Sequence, residues 1–179
     1  ILTDHHQPKE ELPKAYAIIN PFQKGCDYPF RFLSGVGLSY KLAYALAKSI
    51  APGRESEIQE HLDLVAVGTL GDVVPKIGEN RILVYHGLKA LEKREKPGLR
   101  ILLAMGGVRQ RALSPRDIAF VIGPRINASG RLGSADTALH LLLTDQEEEA
   151  RELAQKLETG NRERRRIERT RLLDRPRSR

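Results

Sequence analysis

Short apolar runs punctuated by turn residues open the chain, and helical periodicity takes over from about residue 35. "ILTDHH" (1–6) and "AYAIINP" (15–21) are too brief for helices and are closed by polar or turn residues, so both read as strands. "GVGLSYKLAYALAKSI" sets Leu38, Leu42, Ala45 and Leu46 on one amphipathic stripe that stops at Pro52-Gly53. The apolar run 62–70 fits a strand or a helix by composition. Ile58 and Leu62 lead into Val65 and Ala66 at helical spacing, which favours a buried helix.

"NRILVYHGLKALEK" and "GLRILLAMGG" predict two more helices, the first with Asn80 as its N-cap. In "SPRDIAFVIGP", Ser114 is the expected cap and Pro115 the first helical residue. Thr144-Asp145-Gln146-Glu147 fits a capping box, with Ala150, Leu153, Ala154 and Leu157 on one face behind it. That helix could continue to about Leu173, a length of roughly 40 Å at 1.5 Å per residue. A domain this small would not cover it, so something further is expected to pack on its far end.

The chain has 179 residues, 40% hydrophobic and 30% charged, enough for one globular domain with a sizeable core. The lone Cys26 excludes a disulfide framework and a CxxC metal or redox site. Together with the lack of an 18-residue apolar run or a recognisable signal peptide, this predicts a cytoplasmic protein that does not span a membrane. The net charge is +7, but after Gly160 nine arginines face only Glu163, Glu168 and Asp174, which leaves about +1 for the rest. The basic tail is therefore a local feature, either a nucleic-acid contact or a solvated helix face.

Three strings carry candidate chemistry. In "TDHH", a carboxylate and two imidazoles at a strand end suit Mn²⁺, Zn²⁺ or Fe. Adjacent residues of a strand point to opposite sides, so one of His5 and His6 is expected to bind metal and the other to face substrate; a plain surface turn is the alternative. "GTLGDVVPKIGENR" places Asp72 at the mouth of an apolar segment among glycines, either as a metal ligand or as a helix-terminal residue at a tight turn. "GPRINASGRLG" offers the planar forks of Arg125 and Arg131 with Asn127 between them. Those groups suit a phosphate cradle, or a turn whose arginines pair with carboxylates. The chain has no P-loop and no nucleophile with a partnered base, and its few aromatics disfavour a single-strand reader built on base stacking. Metal-assisted attack on a phosphoester is the reaction class left.

Taken together, "TDHH", "INPFQKGCDYPFRFLSGVGLSYKLAYAL", "DLVAVGTLGDVVPKIGENRILVYHGLKAL" and "FVIGPRINASGRLG" resemble the bacterial RecJ family, single-strand-specific 5′-to-3′ DNA exonucleases of the DHH phosphoesterase superfamily. The resemblance runs to about Ile167 in matching order and spacing. It implies the C-terminal half of a DHH-type parallel-sheet catalytic domain, α/β and mostly helical, over residues 1–143. A connector helix and basic tail would follow over 144–179. It also implies a hydrolase using two Mn²⁺ or Mg²⁺ ions on single-stranded DNA, in repair and recombination and with replication or repair proteins as partners. In that scheme His5 and Asp72 hold metal, Asp4 orients the site, and His6 contacts the scissile phosphate. Arg125, Asn127 and Arg131 contact phosphate along the substrate path.

Gly71 and Lys76 depart from the family's usual Ala and Leu without touching a ligand. The family's Asp-x-Asp strand and a further aspartate would lie before Ile1, and its closing domain and OB-fold module after Arg179. The chain is accordingly expected to be an internal piece, inactive by itself. Two rival readings are a DHH phosphoesterase of short oligonucleotides or cyclic dinucleotides, and a non-catalytic relative that only binds nucleic acid.

Overall fold

Leu2–Thr3 (β1) and Ile18–Ile19 (β2) pair in parallel, Leu2 opposite Ile18 and Thr3 opposite Ile19, so both expected strands form. The pairing is extended by the Leu2 N–H donating to Ala17 O and the Asp4 N–H to Ile19 O, which delivers residues 4–6 to the strand end. This computed structural model describes residues 1–108, 112–132 and 135–173. Contacts divide the chain into two compact units, Ile1–Lys93 and Arg94–Arg179. The expected boundary near residue 143 falls inside the second unit.

In the first unit, α1 (Gly35–Ile50), α2 (Glu55–Gln59), α3 (Leu62–Gly71) and α4 (Gly78–Glu92) follow the two strands. Leu33, Leu38, Val65 and Leu83 form its core, with Ile19, Tyr28, Phe30 and Val36 packed against them. The segment 62–70 is a buried helix, as its spacing indicated. The stripe expected on α1 is only half right: Leu38 is buried, whereas Ala45 and Leu46 are exposed. Only the early turns of that face meet the core, beside β1 and α3, and the helix buries Ala47 at its far end instead.

Two capping assignments change. Asn80 does not cap α4; Ile77 precedes the helix, and Asn80 sits fully buried in its first turn. Its amide is drawn inward because unpaired loop carbonyls lie there, and it donates to Phe32 O and Pro75 O. The cap of α1, which no sequence pattern singled out, is Ser34, whose hydroxyl accepts from Gly37 N–H and pairs with Thr69 Oγ1.

The second unit contains α5 (Pro97–Met105), α6 (Pro115–Asp117), a π turn (Ile118–Ile122), α7 (Gly123–Leu132), α8 (Asp136–Leu143) and α9 (Glu147–Leu173). Ser114 caps α6 in a capping box with Asp117, with Pro115 first in the helix, as expected. Helix α9 packs on α5, α7 and α8 through a face that buries Ala150, Leu153, Ala154 and Leu157. Thr144 is not its cap: its N–H completes α8 by donating to His140 O, and its hydroxyl accepts from Gln146 N–H. From Arg162 to Thr170 the helix is largely exposed and laced with ion pairs such as Arg164 with Glu168 and Arg166 with Glu163, the solvated-face alternative for its charge.

The string 123–133 is the main departure. It is not the turn that one alternative predicts, because Gly123–Leu132 is a helix continuous with the π turn, and Gly133 lies outside the described residues. Pro124 has no N–H and would crowd the carbonyl four residues back in a regular helix. The wide turn just before it absorbs the conflict, with Gly123 N–H reaching Ile118 O, while burial of Ile118, Ile122 and Ala128 holds the segment helical. No helix among the described residues is long and apolar enough to cross a membrane.

Candidate metal centre and its cleft

The end of β1 turns on Asp4. Its Oδ1 accepts from the backbone N–H of His5 (2.8 Å) and of His6 (3.2 Å) and lies 2.8 Å from His6 Nδ1. The His6 ring bond is the main cause holding the Asp4 carboxyl below its ordinary value, against a smaller opposing push from burial. Asp4 thus organises the loop. The expected placement of the two imidazoles on opposite sides does not occur: their ring centroids lie 4.2 Å apart with planes tilted by 47°, because both residues follow the end of β1, where strand alternation no longer applies. His6 stays with Asp4 and is exposed, whereas the His5 side chain is 14% exposed and turns to Asp72, Nε2 lying 3.3 Å from Oδ2.

Asp72 reaches this position from the C-terminus of α3. It is the helix-terminal residue its sequence context allowed, with its N–H donating to Gly68 O, and its carboxylate faces an imidazole. Its Oδ1 accepts from Val73 N–H, which fixes the rotamer and leaves Oδ2 toward His5. Two glycines set the approach. A Cβ on Gly68 would lie 2.6 Å from Val36 Cγ1, so the small residue lets α3 close on α1. A Cβ on Gly35 would lie 3.3 Å from the His5 ring, so the start of α1 is packed against the imidazole.

Two asparagines that sequence reasoning did not assign to the site hold its loops. Asn20, 4% exposed, donates from Nδ2 to His6 O and accepts at Oδ1 from Phe22 N–H, tying the His6 loop to the "NPF" turn. Asn80 ties the turn before α1 to the loop after Asp72 through Phe32 O and Pro75 O. The Asn-Pro pair was visible only as a turn signal; neither long-range bond has a local signature.

A cleft of about 350 Å³ opens over this arrangement, lined by His5, His6, Asp72, Phe22, Phe32 and Val73 among others. One imidazole nitrogen and one carboxylate oxygen converging on a cleft are a donor pair of the kind Mn²⁺ or Zn²⁺ accepts. They are a partial set, since among the described residues no group of three or more His, Cys, Asp or Glu gathers to hold an ion.

The third predicted constellation lies in the second unit. Arg125 is 6% exposed, with Nη1 donating to Val121 O and Nε 2.7 Å from Glu158 Oε2 in an ion pair outside hydrogen-bonding angles. This is the carboxylate-paired arrangement that the string also allowed. Burial pushes the Glu158 carboxyl up, but Arg162 and Arg125 outweigh it and hold the group below its ordinary value. Asn127 is exposed on α7. Arg131 lies in the last turn of α7, and its side chain is outside the described residues.

Comparison with known proteins begins at the level of the family. Residues 1–69 match the model of the DHH family, N-terminal domain. Nearly the whole chain then aligns with single-stranded-DNA-specific exonuclease RecJ, at 41% identity with that of Bacillus subtilis over 93% of this chain and at 39% with that of Escherichia coli over 94%. A crystal structure of exonuclease RecJ bound to manganese superposes with a TM-score of 0.81 at 36% identity, covering 94% of this chain and 42% of that one. RecJ from Thermus thermophilus in complex with Mn²⁺ gives 0.80, covering 95% of this chain and 25% of that one. Sequence and fold agree: over nearly its whole length this chain resembles RecJ, and its residues 1–69 resemble the DHH family, N-terminal domain. It spans 20–31% of the length of these curated relatives.

Proposed function

We propose that the protein is a metal-dependent nuclease acting on single-stranded DNA from the 5′ end, in repair and recombination, and that residues 1–143 supply part of its catalytic domain. The observation that carries the reading is the approach of His5 Nε2 to Asp72 Oδ2 over an open cleft, in a chain aligned along its length with proteins named single-stranded-DNA-specific exonuclease RecJ.

His5 and Asp72 would hold Mn²⁺ or Mg²⁺, with the remaining coordination coming from donors other than these two. The bound ions would supply electrostatic stabilisation of a phosphoryl group and a nucleophile at neutral pH. The protein groups have separable tasks. Asp4 orients the His6 ring through Nδ1, which leaves Nε2 to meet a phosphate oxygen. Asp72 is held by Val73 N–H so that it cannot swing from the cleft. Phe22, Phe32 and Val73 give the cleft apolar surface beside the reacting phosphate. Asn127, exposed on α7, and Arg131 are proposed as phosphate contacts; Arg125 acts there only if it leaves Glu158.

The test is degradation of a 5′-phosphorylated oligonucleotide by the whole protein with Mn²⁺, beside calorimetric Mn²⁺ binding. Wild type should release mononucleotides, and His5→Ala and Asp72→Ala should lose both turnover and Mn²⁺ affinity. Turnover that survives either substitution would sink the proposal. A preference for dinucleotides over long strands would move it to the small-substrate reading.

A further inference from the structure

A second cavity, of about 640 Å³, adjoins the cleft in the first unit and shares Gln7 and Phe22 with it as common wall. Its rim carries Lys9, Lys24 and Arg31 against one carboxylate, that of Glu10. The three cations are exposed, and among the described residues none has a carboxylate partner, unlike the arginines of α9. Phe22 is held in place twice, by its N–H on Asn20 Oδ1 and by edge-on packing of its ring against Phe32 at 5.9 Å between centroids. Unpaired cations around a fixed aromatic are the combination that single-stranded nucleic acid takes, the cations meeting phosphate and the ring meeting base or sugar.

We propose that this cavity binds the nucleotide joined to the scissile phosphate of a DNA strand, with Lys24 and Arg31 at its phosphate and Phe22 against its base or sugar. The assignment rests on the nuclease reading and adds a binding subsite to it. Through Asn20 the subsite is mechanically continuous with the catalytic loop, because one side chain holds both Phe22 N–H and His6 O. A nucleotide seated against Phe22 therefore has its register set relative to His6.

The test is the affinity of the whole protein for a fluorescent oligothymidylate, followed by anisotropy across a salt series in EDTA, where no hydrolysis can occur. Lys24→Ala/Arg31→Ala should weaken binding about tenfold and lower the slope of log affinity against log salt by about one to two, as expected for lost phosphate contacts. Phe22→Ala should weaken binding by about tenfold with the slope unchanged, as expected for a lost stacking surface. Lys24→Arg/Arg31→Lys should restore the slope. The control Lys48→Ala/Lys89→Ala, at the ends of α1 and α4, should change neither quantity.

Affinity and slope unaltered in the Lys24/Arg31 pair, or an equal loss in the control pair, would overturn the subsite while leaving the nuclease reading intact. Thymidine monophosphate competing as well as the oligonucleotide would overturn the strand assignment in favour of a free nucleotide. Absence of oligonucleotide binding by wild type would bring down the nuclease reading and the subsite with it.

Discussion

Two acid–base pairs each include a residue that the sequence singled out for function, and their surroundings differ. His5 and Asp72 meet at 3.3 Å beside an open cleft, the carboxylate a third exposed and held by Val73 N–H. Arg125 and Glu158 meet at 2.7 Å with side chains 8% and 11% exposed, closed between α7 and α9. The first pair can admit a third party between its members. The second has no such room, and its guanidinium is already shared with Val121 O. What distinguishes the proposed site from the strut is the access around the pair rather than the identity of its residues.

The largest effect should come from breaking the closed pair. Glu158→Ala strands Arg125 in a buried setting, which typically costs about 3–5 kcal/mol, read as a lower midpoint in chemical unfolding. Replacing both partners, Arg125→Met with Glu158→Leu, should recover most of the loss; if it does not, the pair does more than support the fold. His5→Ala should act oppositely. The unfolding midpoint should shift by less than about 4 °C, while Mn²⁺-dependent turnover falls more than about a hundredfold, beyond the range for residues that only orient a ligand.

Asn20→Ala should fall between these. It leaves His6 O and Phe22 N–H without their partner, for about 1–3 kcal/mol of stability and about a tenfold drop in turnover. An unchanged rate in that variant would show that the loop keeps its geometry without the asparagine. The smallest effect is a pH dependence. Glu158 titrates below its ordinary value when folded, so its stabilisation is fully present above the unfolded carboxyl pKa of about 4.3 and is lost as pH falls through the lower folded value. Acid unfolding of the second unit should show this limb, and Glu158→Gln should flatten it.

Much of this architecture was legible because its signals are local. Helices α1, α3, α4 and α5 follow apolar periods, and the strands end where polar residues begin. Asp4, His5, His6 and Asp72 could be picked out as candidates because carboxylates and imidazoles stand there at the ends of apolar elements, although a surface turn or a helix terminus fits the same local pattern. The residues that join these parts were not legible. Ser34, Asn20 and Asn80 act through bonds to Thr69, His6, Phe32 and Pro75, and a polar residue's distant partner leaves no pattern in its neighbours. The string 123–133 misled for the opposite reason. Its glycines and proline are strong local loop signals, and burial of Ile118, Ile122 and Ala128 overrode them.

The π turn at Ile118–Ile122 also acts as a phase setter for everything after it. A helix advances about 100° per residue, so one residue of slack decides which face of α7 meets α9. Removing a single residue from this turn would close it to ordinary helical spacing, leaving Arg125 toward Glu158 but returning Pro124 to a regular helix, where its ring crowds the carbonyl four residues back. Adding one would turn α7 by about 100° and carry Arg125 away from Glu158, so the segment should tolerate lengthening least of all.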